Sequence, residues 1–180
     1  MKRVLWLMPA ILLFCATAKA QSTTPAWDIY GGYTYVRANL SGTSFNMNGG
    51  GASATQNLND WFGGRVEFNA IGATVPTESG PERVNAQTIT YGPVFTYRRF
   101  NRLAPFAHVQ LGAVHASQGF LGISEGAFKF AASGGGGVDY ALNDRVAVRV
   151  QGDYLMTRFL DARQDNIQLT AGLVVRIGSK

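Results

Sequence analysis

Apolar and polar residues alternate along most of this chain. Near its end, Ile167, Leu169, Ala171, Leu173, Val175 and Ile177 share one face, while Gln168, Thr170, Gly172, Val174 and Arg176 share the other. Upstream, Val146, Val148, Val150, Gly152, Tyr154 and Met156 oppose Ala147, Arg149, Gln151, Asp153, Leu155 and Thr157. The same period sets Ile89, Tyr91, Pro93, Phe95 and Tyr97 against Thr88, Thr90, Gly92, Val94 and Thr96, and Phe62, Val66 and Phe68 against Arg65, Glu67 and Asn69. Side chains two apart lie on one side of an extended chain, so each run predicts a strand with one greasy and one polar face.

Asn59, Asn101 and Asn143 stand 42 residues apart, two of them inside the repeated tripeptide Leu-Asn-Asp. Each separates two strand-like runs with almost nothing else between them. Asparagine and aspartate tolerate the left-handed backbone of tight hairpin turns, so the three positions predict short turns of one kind. The opposite connections, Ala38 to Phe45, Ile71 to Val84, Ala116 to Ala127 and Arg158 to Asp165, are longer and polar. The expected strands run Trp27 to Arg37, Met47 to Asn57, Trp61 to Ala70, Asn85 to Arg98, Ala104 to His115, Phe128 to Ala141, Arg145 to Thr157 and Asn166 to Gly178. The second is small and polar throughout and is counted on topological grounds, because a single-chain barrel with both ends on one side needs an even number of strands. Pro93 predicts a bulge or local bend in the fourth.

The first twenty residues read as a leader: Lys2 and Arg3, an apolar run from Val4 to Ala16, then Ala18-Lys19-Ala20. That run is too short to cross a hydrocarbon core, which takes about 20 helical residues. The domain reading is therefore a cleaved signal peptide at 1–20 and a barrel domain at 21–180. Cys15 leaves with the leader, and thiol chemistry leaves with it. The formal charge of +5 falls to +2 once Lys2, Arg3 and Lys19 are gone, which implies no nucleic-acid partner. Only 15% of residues are charged, against about 25% in a typical soluble domain. An exported chain, poor in charge, with no long apolar helix and with alternating strands, predicts an all-β fold: an eight-stranded antiparallel up-and-down transmembrane β-barrel.

With the apolar faces outward, aromatic residues collect near both strand ends: Trp27, Phe62, Phe95, Tyr97 and Tyr140 on the turn side, Tyr35, Phe68, Phe128 and Tyr154 on the loop side. The polar faces then line the lumen with Arg65, Glu67, Lys129, Asp139, Arg149, Gln151 and Asp153, and with Arg98 and Arg176 near the turn-side rim. An eight-stranded barrel is just wide enough for side chains to fill it. Buried charges must be paired, so these residues are expected to form an ionic plug. The glycine run from Gly134 to Gly137 lacks the Gly-Lys-Ser/Thr continuation of a phosphate loop and reads as wall that bends and makes room for lumen side chains. His108 is expected among the lumen groups. No metal site and no cofactor are predicted.

The stretches GPVFTYRR, PFAHVQLGAVHAS, GGGVDYAL and RVAVRVQGDYLMTRF, followed by NIQLTAGLVVRIG, resemble the small porin-like outer-membrane β-barrel proteins, whose architecture is similar to the transmembrane domain of outer membrane protein A. The resemblance implies location in the bacterial outer membrane, contact with its lipid and lipopolysaccharide, and a monomer. Thr170, Gly172, Val175 and Ile177 look like the C-terminal signal read by the barrel-assembly machinery, with Ile177 where the family usually carries an aromatic residue. The leading reading is a non-enzymatic protein that contributes to envelope integrity and presents its loops to a surface ligand of unknown identity. A small channel is one alternative. Another resemblance, to lipid A deacylases, would make His115, Ser117 and Glu125 a catalytic set, since residues two apart on a strand share a face. A periplasmic lipocalin-like carrier would need the apolar faces inward.

Overall fold

In a computed structural model the chain is described over residues 24–40, 43–77, 80–118, 127–159 and 162–179. Eight strands form in order: β1 (Trp27–Leu40), β2 (Thr43–Asn57), β3 (Phe62–Thr77), β4 (Gly80–Thr96), β5 (Leu103–Gln118), β6 (Ala127–Ala141), β7 (Val146–Phe159) and β8 (Ala162–Ile177). Each pairs antiparallel with its neighbour in sequence, and β1 returns to β8 to close the barrel. The small, polar second strand is real, matching β1 from Trp27↔Gln56 to Leu40↔Thr43. Among the described residues no helix is long and apolar enough to cross a membrane.

The strands run 14 to 17 residues, longer than the roughly 9–11 a tilted strand needs to cross a bilayer. The excess lies on the loop side, where sequence patterning ends each strand too early. The segment from Ile71 to Val84, expected to be a polar loop, is mostly hairpin, paired from Ala73↔Val84 out to Thr77↔Gly80. Beyond the hydrocarbon both faces of a ribbon can meet water, so the pairing continues while the apolar alternation that reports it fades.

The orientation of the faces is the decisive feature. Tyr91, Val150 and Leu173 are 66%, 59% and 53% exposed, while Arg65 and Arg149 are 1% exposed. Phe95 also points out, and Asp153 points in. A water-soluble protein buries its apolar residues and solvates its charges, so this distribution fits an apolar solvent outside the wall. It is the reverse of what a carrier with a greasy lumen requires.

The corners at Asn59 and Asn143 are built alike. Leu58 N donates to Phe62 O and Leu142 N to Val146 O, both at 2.9 Å. Asn59 Oδ1 accepts from the amides of Trp61 (3.1 Å) and Phe62 (2.8 Å), as Asn143 Oδ1 accepts from Arg145 (2.9 Å) and Val146 (2.8 Å). The asparagine therefore acts as a side-chain acceptor that satisfies two turn amides. Asn101 departs from the expected repeat: its connection runs from residue 97 to 102 rather than over four residues, and its side chain makes no such bond. Pro93 brings no bulge either. Register steps evenly from Tyr91↔Leu111 to Val94↔His108, with cross-pairing to β5 lapsing only at Gly92 and Pro93. Proline has no N–H to offer the ladder, and the wall absorbs that loss without inserting a residue.

Replacing Asn143 by alanine is expected to lower the stability of the folded barrel by about 0.5–1.5 kcal/mol, the usual net worth of an intramolecular hydrogen bond. Asn101→Ala should cost clearly less. Urea-unfolding midpoints in detergent would read the difference, and equal losses at the two positions would contradict the assignment of the corners.

Candidate functional site: the bridged lumen

The candidate site is the inside of the barrel, and strand register decides which side chains meet there. Inward positions are odd on β3, β6 and β7 and even on β1, β5 and β8, as the buried residues show: Arg65, Glu67 and Asn69; Asp139; Arg149, Gln151 and Asp153; Asp28 and Thr34; Phe106, His108 and Gln110; Gln168 and Thr170. They form layers.

Toward the loop side the lumen is apolar. Val36, Ala38, Met47 and Ile71 pack with Ala73, Val84 and Ala86. Val114, Ala131 and Leu155 form a second cluster that also touches Ala86. Of these residues alternation places only Leu155 on the inner face; Ala38, Ile71, Ala73 and Val84 fall in segments expected to be loops, and the sequence gives no sign that they gather in one layer. Lys129 lies in this part of the wall, opposite Val114, half-buried and with no ion pair among the described residues.

Below lies a polar ring. Arg65 donates through Nη1 to Gln151 Oε1 (3.1 Å) and through Nε to Thr55 Oγ1 (2.9 Å). Gln151 Nε2 donates to Asp153 Oδ2 (2.6 Å) and to Glu67 Oε2 (3.3 Å). Asp153 Oδ1 lies 3.0 Å from His108 Nε2, within ion-pair distance though off-line for a hydrogen bond. His108 Nδ1 sits 3.4 Å from Arg65 Nη1 and closes the circuit. Glu67 Oε1 accepts from Asn69 (3.1 Å) and Gln168 (3.4 Å). Arg65 and Glu67 thus have no oppositely charged partner at ion-pair distance among the described residues; the amide of Gln151 links them.

The next layer is a direct pair. Arg149 grips Asp139 with two parallel bonds, Nε to Oδ1 (2.7 Å) and Nη2 to Oδ2 (2.8 Å), the fork geometry a planar guanidinium favours. Its Nη1 finds no acceptor. The ring of Phe106, 4.6 Å from the guanidinium carbon, and that of Tyr30, at 5.5 Å, offer π faces instead. Arg65 also lies 4.6 Å from the centre of Phe106. Phe106 was not singled out by sequence pattern, although it occupies an inward position of β5 between two inward arginines. Gly137 faces it, where an added Cβ would come within 2.9 Å of Phe106 Cζ.

At the turn-side rim, Asp28 Oδ2 accepts from Arg98 Nη2 (3.1 Å) and from Asn57 Nδ2 (3.0 Å), while Arg98 Nη2 also reaches Asn57 Oδ1 (2.9 Å). Outside this rim Trp61 stacks on Phe95 (6.0 Å between centres) and touches Phe62 (5.6 Å). Trp61, at 59% exposure the most open large side chain of this group, belongs to the girdle with Trp27 and Tyr97. On the other side Phe68 and Tyr154 are exposed and Tyr35 donates to Asn46 Oδ1 (2.8 Å); the side chain of Phe128 lies outside the described residues.

Of the candidate catalytic set only His115 has a described side chain. His115 is on the outward side of β5, partly exposed, and the backbone of Ser117 pairs with Asn85. The side chain of Ser117, and Glu125 altogether, lie outside the described residues. No group of three His, Cys, Asp or Glu able to hold a metal occurs among the described residues. In β8, Thr170 points inward, Val175 and Ile177 point outward, and Gly172 pairs with Gly32 at the closing seam.

A closed antiparallel barrel with an apolar exterior, aromatic residues at the rims and a bridged ionic interior is a transmembrane β-barrel of the bacterial outer-membrane class. Residues 7–174 match the model of the outer membrane protein beta-barrel domain, and the chain belongs to that family. Neisserial surface protein A has the same fold, with a TM-score of 0.74 at 15% identity over 84% of this chain and 97% of that one. OprG from Pseudomonas aeruginosa aligns with a TM-score of 0.61 at 12% identity, covering 87% and 98%. Ail of Yersinia pestis, solved in complex with the heparin analogue sucrose octasulfate, aligns at 0.59 and 19% identity, covering 84% and 99%. At these identities the likeness is one of fold. No curated protein matches the sequence significantly.

Arg149→Met would leave Asp139 charged, buried and alone, and is expected to cost about 3–5 kcal/mol. Converting Asp139 to leucine in the same chain should restore most of that loss, because an apolar pair of similar volume does well in such a site. Urea midpoints in lipid vesicles test this, and a single variant within about 1 kcal/mol of wild type would count against a buried pair.

Proposed function

We propose that this protein is a non-enzymatic outer-membrane barrel that reinforces the cell envelope, keeps a closed lumen and presents its long connections at the cell surface. One observation carries the reading. β3 and β7 stand four positions apart in a ring of eight, on opposite walls, and they are joined side chain to side chain by Arg65–Gln151 and Gln151–Glu67. Bonds that span the diameter leave no continuous wide water column, and the apolar layer on the loop side adds a second obstruction. The ionisable groups of the polar layers, Arg65, Glu67, Asp139, Arg149 and Asp153, are held by structural partners. The leader at 1–20 would deliver the chain to the periplasm, and the C-terminal strand with Thr170, Gly172, Val175 and Ile177 would present it to the assembly machinery. Lipid and lipopolysaccharide surround the wall of a monomer, and the outward connections are the natural contact surface for a ligand, since loops on a rigid scaffold usually carry such roles.

Folded protein beginning at Gln21 is expected to give no large, steady conductance in planar bilayers; sustained channels of uniform size would overturn the closed-lumen reading. Incubation with lipopolysaccharide is expected to release no fatty acid. Release that disappears in Ser117→Ala would instead establish a hydrolase.

A further inference from the structure

The turn-side mouth of the barrel holds a cavity of about 750 Å³, lined by Arg98, Arg102, Arg145 and Arg176 and by a single acidic residue, Asp144. We propose that this mouth binds a compact polyanion carrying phosphate groups. Four guanidiniums around one small space repel each other, and the nearby carboxylate of Asp28, which does not line the cavity, spends Oδ2 on Arg98 and Asn57 and keeps Oδ1 buried away from the other three arginines. Asp144 forms no ion pair with any of the four among the described residues. The side chains of Arg102, Arg145 and Arg176 have no partner among the described residues, and the Nε groups of Arg98 and Arg176 are buried donors left without an acceptor. Unsatisfied buried donors are costly, so the lining is short of negative oxygen atoms.

The scaffold beneath the arginines is fixed. Arg102 O accepts from Ala141 N and Arg145 O accepts from Arg176 N, both at 2.8 Å, which ties the two neighbouring turns and the end of β8 together. Guanidinium forks match phosphate oxygens two at a time. A volume within the roughly 300–1,000 Å³ typical of small-molecule sites exceeds what one phosphate needs, which favours a ligand with more than one anionic group. A soluble phosphorylated compound or the headgroup of an anionic phospholipid could both supply that chemistry.

The test uses the folded chain in an uncharged maltoside detergent, titrated by calorimetry with inorganic pyrophosphate and, separately, with micelles doped with phosphatidylglycerol. Saturable binding is expected that weakens at least tenfold in the double variant Arg102→Gln/Arg145→Gln and is unchanged in Arg37→Gln at the far end of β1. Both mouth substitutions lie on exposed turns, and faster migration of the unboiled protein on a gel verifies that each variant folds. Saturation by pyrophosphate identifies a soluble phosphate as the source, and saturation by the doped micelles alone identifies the lipid headgroup. The proposal fails when neither probe saturates, or when the double variant binds as wild type does.

Discussion

Everything in this molecule follows from the lack of water in the acyl layer to satisfy a backbone N–H or C=O. A lone sheet would leave two edges bare, so β1 must find β8, and it does from Trp27↔Ile177 to Arg37↔Ile167. Closure then fixes the faces, because a slip of one residue would send every lumen side chain into lipid. The inward parity of β3, β5 and β7 is what lets Arg65, His108 and Gln151 meet at all. At the closing seam Gly32 faces Gly172, and a Cβ on Gly172 would come within 2.9 Å of the backbone carbon of Gly31. Without side chains there, the first and last strands approach closely.

A closed wall creates the second problem, since ionisable groups inside it are cut off from bulk water and each isolated charge is costly. Two solutions coexist. Arg149 and Asp139 neutralise one another directly, while Arg65 and Glu67 share a neutral amide that accepts from one and donates to the other. The amide solution reaches farther: Gln151 stands on β7 and both its charged partners on β3, so satisfying the charges and bridging the lumen are one act. Aromatic faces complete the arrangement, because Phe106 and Tyr30 lie against guanidiniums where acceptors run short.

Much of this was legible in the sequence. Period-two alternation sorts the residues on β4, β7 and β8 correctly because each inner position in the hydrocarbon zone is polar, small or plainly opposed to a greasy neighbour. It fails where that contrast stops. The backbone pairing of β3 with β4 runs on to Thr77↔Gly80, past the last residues that alternate, so the polar segment between them resembled a loop. Asn101 shared the spacing of Asn59 and Asn143, yet a turn is set by which amides its side chain can reach, and the connection from 97 to 102 is too long for the same bonds. The lumen charges were recognisable by parity on single strands. Their pairing was not, because Arg65 and Gln151 are 86 residues apart and meet only through closure. Phe106 and Trp61 were passed over, the first as an ordinary member of the fifth strand and the second as the opening residue of the expected third, whereas β3 begins at Phe62 and leaves Trp61 in the turn.

Arginine shows how depth sets the role of one side chain. In the middle of the barrel, Arg65 and Arg149 are 1% exposed, and amide, hydroxyl, carboxylate or ring contacts surround them. At the rim Arg98, whose side chain is 11% exposed, has one carboxylate and one amide partner and a bare Nε. On the turns Arg102 and Arg145 stand in solvent without partners among the described residues. A charge costs least where water screens it and most where the wall excludes water, so the number of satisfied donors should rise with burial. Arg176 departs from that gradient: its side chain is partly covered at the end of β8, yet its Nε is buried without an acceptor. Arg149 also keeps a bare Nη1, but two aromatic faces and a carboxylate surround its guanidinium, whereas Arg176 has no such neighbours among the described residues, and that contrast is what the proposed ligand at the mouth would resolve.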